Sequence, residues 1–119
     1  MVDFKKDFPL EQRKLESVRL REKYPNKIPI IINKDPKSNI QDIDKSKYLV
    51  SEDLTVGSFI CIIRKRIALA SDKAMFVFIN NNLPAVSLLL SEVYIKYKDD
   101  DGFLYMTYSG ENAFGFNNH

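Results

Sequence analysis

Between residues 56 and 67, Val56, Phe59, Ile60, Ile63 and Ile67 recur at intervals of three and four, the spacing of one face of an α-helix. Thr55 is placed to cap that helix, and Arg64, Lys65 and Arg66 put cations at the end where its dipole favours them. A stripe this apolar must be covered by a second layer. Short β-branched or aromatic runs supply one: Ile28–Ile32, Tyr48–Val50, Met75–Ile79 and Phe103–Tyr108 read as strands.

The rest of the chain can be placed around that pairing. Residues 10–24 are rich in helix formers, and Pro25 stops the helix by disfavouring α geometry at Tyr24. Leu10, Leu15, Val18 and Leu20 make no clean stripe, so this helix should lie on the surface of a body built by the other elements. Pro29 is tolerated in a strand only near its start or at an edge. Asn33–Ser46 reads as a loop and Asn80–Asn82 as a turn. Met75–Ile79 is apolar at both parities, as in a strand covered on both faces. Val86, Leu89, Leu90, Val93 and Tyr97 form a second helical stripe with Ser87 as its cap, and Asp99–Gly102 turns the chain into the last strand. Strand, strand, helix, strand, helix, strand after one or two leading helices is an α+β order that suits a β-grasp, although other small α+β folds share such strings. The expected division is a helical extension over 1–26, a core over 27–108 and a flexible tail over 109–119.

Composition removes most catalytic designs. A single domain of 119 residues buries a core without staples. Cys61 is the one cysteine and His119 the one histidine, which excludes an internal disulfide, a Cys–His or Ser–His–Asp constellation and a His-rich metal site. Cys61 lies just off the core stripe and is expected as a buried or half-buried structural thiol. The chain is therefore expected not to be an enzyme and to need no cofactor or metal. Met1–Gln12 has scattered charges and no apolar stretch, so a secretory signal is not expected, and the apolar runs fall far short of the about 20 residues that span a bilayer. Residues 1–73 carry 16 basic and 11 acidic side chains, and residues 74–119 carry 2 and 5, so one part of the surface is basic and another acidic. Such polarity suits an acidic peptide, a tubulin tail, nucleic acid or anionic lipid. Five acidic residues among the eight basic ones of positions 1–27 weaken the nucleic-acid and membrane readings of that segment and of Phe4 and Phe8 within it.

Two features point towards partners. If Tyr48–Val50 is an edge strand, a peptide can add to it by backbone hydrogen bonds, with Tyr48 and Val50 facing one pocket and Lys47 and Leu49 another. Lys27, Lys45 and Lys47 would then favour acidic residues beside the peptide's anchors, or simply protect the edge from aggregation. The tail Ser109–His119 has no apolar period and contains two glycines. A glycine near a protruding end, here Gly115, can enter a narrow active-site tunnel and offers an unobstructed carbonyl.

Taken together, Phe8-Pro-Leu-Glu-Gln-Arg13, Lys23-Tyr-Pro25, Ile28-Pro-Ile30, Asp44-Lys-Ser-Lys-Tyr-Leu-Val50, Asp53-Leu-Thr-Val-Gly57, Ile63-Arg-Lys-Arg66, Phe103-Leu-Tyr105, Tyr108-Ser-Gly-Glu-Asn112 and Phe114-Gly115 closely resemble the ubiquitin-like autophagy modifiers, the family of the GABA-receptor-associated protein and the microtubule-associated light chain. The resemblance implies a ubiquitin-like β-grasp with a four-stranded mixed sheet and two additional N-terminal helices. It implies that a cysteine protease cuts between Gly115 and Phe116, with Phe114 beside the cut, removing residues 116–119. E1-like and E2-like enzymes would then pass the Gly115 carboxylate to the amine of phosphatidylethanolamine. The protein would be a monomer in solution, cytoplasmic until lipidated and then on autophagosome or vesicle membranes.

The family also binds aromatic-x-x-aliphatic motifs of autophagy receptors and adaptors. Carried over by position, the resemblance implies an aromatic pocket of Glu16, Leu20, Pro29, Ile31, Lys47, Leu49 and Phe103, and an aliphatic pocket of Tyr48, Val50, Leu54, Phe59 and Ile62. Lys27, Lys45 and Arg66 would meet acidic groups. Three positions depart from the family pattern: Ser51 stands where a proline usually follows Tyr-Leu-Val, Lys27 where arginine is common, and Ala85 interrupts a usual Pro-Pro. Lysine for arginine loses bidentate carboxylate recognition. The competing expectation is a peptide-binding, tubulin-associated adaptor that is never conjugated and keeps residues 116–119.

Overall fold

The computed structural model describes residues 3–110. Along the chain they form α1 (Phe4–Asp7), α2 (Leu10–Lys23), β1 (Lys27–Lys34), β2 (Lys47–Ser51), α3 (Val56–Arg66), β3 (Met75–Phe78), α4 (Leu90–Tyr97) and β4 (Leu104–Gly110). The strands make one sheet in the order β2-β1-β4-β3. The outer pairs are antiparallel, and the central pair, β1 with β4, is parallel from Ile30 opposite Leu104 to Lys34 opposite Tyr108. A mixed four-stranded sheet with α3 crossing one face is the ubiquitin-like β-grasp, here preceded by two helices. Pro29 lies one residue before the parallel ladder begins, where its missing N–H breaks no bond to β4.

Strand alternation divides the apolar residues between two faces. Ile28, Ile30 and Ile32 of β1 and Leu104, Met106 and Tyr108 of β4 face α3, which presents Val56, Phe59, Ile63 and, just past its end, Ile67. Thr55 caps α3, its hydroxyl oxygen accepting from the Ser58 N–H. On the opposite face Ile31 and Phe103 form a small cluster with Phe4 of α1.

Four expectations change. The second helical stripe begins at Leu90, not near Val86, and Ser87 does not cap it. The carbonyls of Val86 and Leu88 instead accept the N–H groups of Gly57 and Val56, the otherwise orphaned donors of the first turn of α3. The N–H of Leu89 is met by the Glu92 carboxylate at 2.9 Å. The third strand, β3, is an edge strand with Met75 and Val77 buried and Phe76 and Phe78 only half-buried, so it is not covered on both faces. Ser109 and Gly110 belong to β4 and are buried, with the Gly110 N–H donating to the Ser38 hydroxyl oxygen at 3.0 Å, so the core reaches two residues past the expected start of the tail. Cys61 is exposed, because its helical position turns it away from the stripe.

Left-handed backbone occurs at three turns among the described residues, the first at Ala68 just past α3, with φ 53°. Asn80 and Asn81 both have positive φ, 50° and 65°, as a tight turn after β3 requires and as Asn tolerates. Gly102 has φ 88°, and a Cβ there would stand 2.3 Å from the Ser17 hydroxyl oxygen. The turn before β4 thus packs directly against α2.

Candidate functional site

Among the described residues, strand β2 has one neighbour, β1, and its second side is open. The Ile32 N–H bonds the Ser46 carbonyl and the Glu52 N–H bonds the Asn26 carbonyl, both in the register that pairs Ile30 with Tyr48. In an antiparallel ladder this turns the backbone groups of Tyr48 and Val50 towards β1 and those of Lys47 and Leu49 towards the open side. An extended peptide laid there would find N–H and C=O donors and acceptors at Lys47 and Leu49. The side chains divide as alternation demands: Tyr48 and Val50 pack on the α3 side, while Lys47 reaches α2 on the other face.

On the α2 face, the Lys47 ammonium lies 2.5 Å from the Glu16 carboxylate, bridging β2 and α2. Beneath the bridge, Ile31 and Phe103 are buried, with Leu20 packed beside them. Three of the residues expected to line an aromatic pocket, Leu20, Ile31 and Phe103, thus come together, and Phe4 packs against them. Phe4 is 5% exposed, its ring 5.0 Å edge-on to Phe103 and 5.2 Å from Phe8, with Lys47 Nζ 5.0 Å from its centroid. The residue-by-residue reading missed Phe4 as part of this site. The signal was the i, i+4 spacing of Phe4 and Phe8, which puts two rings on one side of a single turn. Pro29 has the same parity as Ile31, and Leu49 stands opposite it across the ladder.

On the α3 face, Val50 and Leu54 are partly buried against the core and Ile62 is 37% exposed. Phe59, expected in the aliphatic pocket, is completely buried and belongs to the core. Tyr48 is almost as deep, edge-on to Phe59 at 5.7 Å, and burial pushes its hydroxyl pKa up. Arg66, expected to be available to acidic groups of a ligand, is already engaged: its Nε and Nη2 donate to the two Asp44 carboxylate oxygens at 2.8 and 3.0 Å. This bidentate hydrogen bond to Arg66 holds the Asp44 carboxyl below its ordinary range. Lys45 Nζ stands 4.8 Å over the Tyr48 ring, and neither Lys45 nor Lys27 has an ion pair among the described residues. Ser51 shapes the exit from β2, its hydroxyl oxygen accepting from Asp53 N–H and its carbonyl from Leu54 N–H.

Helix α2 is held over the sheet by polar groups. The Ser17 hydroxyl donates to the Asp101 carbonyl, and the Asp101 carboxylate accepts from the Phe103 N–H and from the Tyr105 hydroxyl. Arg13 Nε lies 3.4 Å from the same carboxylate. Burial, then the bond to Asp101, drives the Tyr105 pKa far up, so this hydroxyl donates throughout the physiological range. The expected processing residues Phe114, Gly115 and Phe116 lie outside the described residues. Among the described residues no helix is long and apolar enough to cross a membrane.

Comparison with known proteins agrees with this architecture. The family model described as "Autophagy protein Atg8 ubiquitin like" matches residues 12–115. Autophagy-related protein 8a of Arabidopsis thaliana is 58% identical over 112 residues, covering 94% of this chain and 92% of that protein. The crystal structure of Trypanosoma brucei ATG8 superposes with a TM-score of 0.88 at 41% identity, covering 93% of this chain and 96% of that one. Plasmodium falciparum Atg8, solved in complex with a P. falciparum Atg3 peptide, gives a TM-score of 0.82 at 36% identity, covering 92% and 99%. The chain therefore belongs to the Atg8 family of ubiquitin-like autophagy proteins.

Proposed function

We propose that this chain is a modifier conjugated through Gly115 to phosphatidylethanolamine, and that on autophagosomal membranes it recruits receptors carrying aromatic-x-x-aliphatic motifs. The observation that carries the conjugation reading is the extent of the family match, which ends on Gly115 and leaves Phe116–His119 outside it. Cleavage after Gly115 frees the carboxylate that the E1-like and E2-like enzymes activate. The chemistry resides in those enzymes, and the chain is their substrate. An E2-like partner is supported by the P. falciparum relative, which is solved with an Atg3 peptide. At about 0.8 kcal/mol per buried CH₂, two acyl chains anchor a protein stably.

The open side of β2 supports the docking half of the proposal, since its backbone groups at Lys47 and Leu49 face outward between two differently lined surfaces. Intact-mass measurement of the membrane fraction tests conjugation. The expected species ends at Gly115 and carries the lipid, and Gly115→Ala protein should stay diffuse in the cytoplasm. Full-length, unlipidated chains as the membrane-bound form would favour the tubulin-associated adaptor instead.

A further inference from the structure

The place reserved for a ligand's aromatic side chain is already filled by an aromatic side chain of this protein. Phe4 is 5% exposed and touches or underlies four of the seven residues assigned to the aromatic pocket: it clusters with Ile31, Phe103 and Leu20, and Lys47 Nζ closes over its ring at 5.0 Å. We propose that Phe4 is the resident occupant of this pocket, so that an aromatic-x-x-aliphatic peptide binds by displacing α1. The inference rests on the β2-edge reading given above.

Helix α1 is built to be displaced. Four residues make one turn, which is too short to persist without tertiary support. Besides the Phe4 ring, its ties among the described residues are the Asp3 cap on the Lys6 N–H at 3.2 Å and the Lys5 ammonium, 2.7 Å from the Asp99 carboxylate and 4.5 Å from the centre of the Tyr105 ring. Helix α2 does not depend on these ties, because Ser17 and Arg13 hold it to Asp101 independently. The turn can therefore leave while the pocket wall stays. A ligand's apparent affinity is then lowered by the fraction of molecules in which Phe4 is out. A ligand ring larger than the benzyl group it replaces gains buried area by the exchange, so the pocket should rank tryptophan above phenylalanine.

Titration calorimetry with a Trp-x-x-Leu peptide, alongside amide shift mapping, provides the test. Wild-type protein should bind with shifts at Lys47–Ser51. Phe4→Ala should tighten binding about tenfold and Lys5→Ala about threefold, as the competent fraction rises. Lys5 lies outside the pocket, so its variant serves even if Phe4→Ala proves poorly folded by circular dichroism. The chain contains no tryptophan, so Phe4→Trp supplies a single reporter whose emission should move to the red when a Tyr-x-x-Leu peptide is added. Binding at Lys47–Ser51 that is unchanged or weakened in both Phe4→Ala and Lys5→Ala, with no change at the tryptophan reporter, would overturn the inference. Absence of shifts at β2 in every variant would overturn the edge reading beneath it.

Discussion

The two faces of the sheet are closed in opposite ways. Among the described residues, the face under α3 and α4 gathers seventeen buried residues into one apolar cluster, whereas the face under α1 and α2 has three, Phe4, Ile31 and Phe103. Helix α2 turns Leu10, Leu15 and Val18 largely to solvent and buries Arg13 and Ser17. One face is held by area removed from water, the other by a few directed bonds around Asp101. Directed bonds fail singly, and an apolar cluster fails as a whole. A surface that must admit a partner is better placed on the first kind of closure.

The largest effect should come from the apolar face. Phe59→Ala removes a fully buried ring and should cost about 4 kcal/mol, read as a lower urea midpoint, with exchange protection lost throughout the sheet. On the polar face Asp101→Ala leaves the buried Arg13 without its counter-charge, at a cost of about 3 kcal/mol. There, native-state hydrogen exchange should accelerate in α2 well before it does in β1. If both regions opened together, the proposed independence of the two faces would be wrong. Gly102→Ala forces a Cβ against Ser17 at positive φ and should cost about 2 kcal/mol by thermal unfolding.

The smallest effect is a pH dependence confined to α1. Burial raises the Asp99 pKa, and the bonds from Lys5 and the Asp101 backbone N–H outweigh it, so the carboxyl ends below its ordinary 3.8. A carboxyl lowered in the folded state contributes fully above that ordinary value and loses its contribution as pH falls through the lower folded value. The Phe4 and Lys5 amide shifts should therefore be steady at neutral pH and move towards undocked values only below about pH 4, with less than about 1 kcal/mol involved.

The comparison also explains what was legible in the sequence. The α3 stripe, the Thr55 cap and the parity of Tyr48 and Leu49 follow from periodicity and alternation, and each is found in the structure, whereas the edge position of β2 enters only as a condition, which the strand order meets. Helix α2 is found too, but its packing was hidden, because no apolar period announces Arg13 and Ser17 as buried. Val86 and Leu89 keep a helical spacing yet lie outside α4, since pattern cannot show that the first turn of α3 claims the carbonyls of Val86 and Leu88. The pairing of Arg66 with Asp44 links residues 22 apart through the long β1–β2 loop, a relation that local spacing does not carry.

The way β4 ends has a mechanical consequence. Gly110 is bonded to Ser38, the Tyr108 hydroxyl donates to the Gln41 carbonyl, and the Tyr108 carbonyl accepts from Asp35 N–H, so the last residues of the strand are strapped to the β1–β2 loop. Any pull applied through the residues after Gly110 enters a strand flanked on both sides, by β1 and by β3. Its ladder bonds then resist in shear, sharing the load instead of unzipping one at a time.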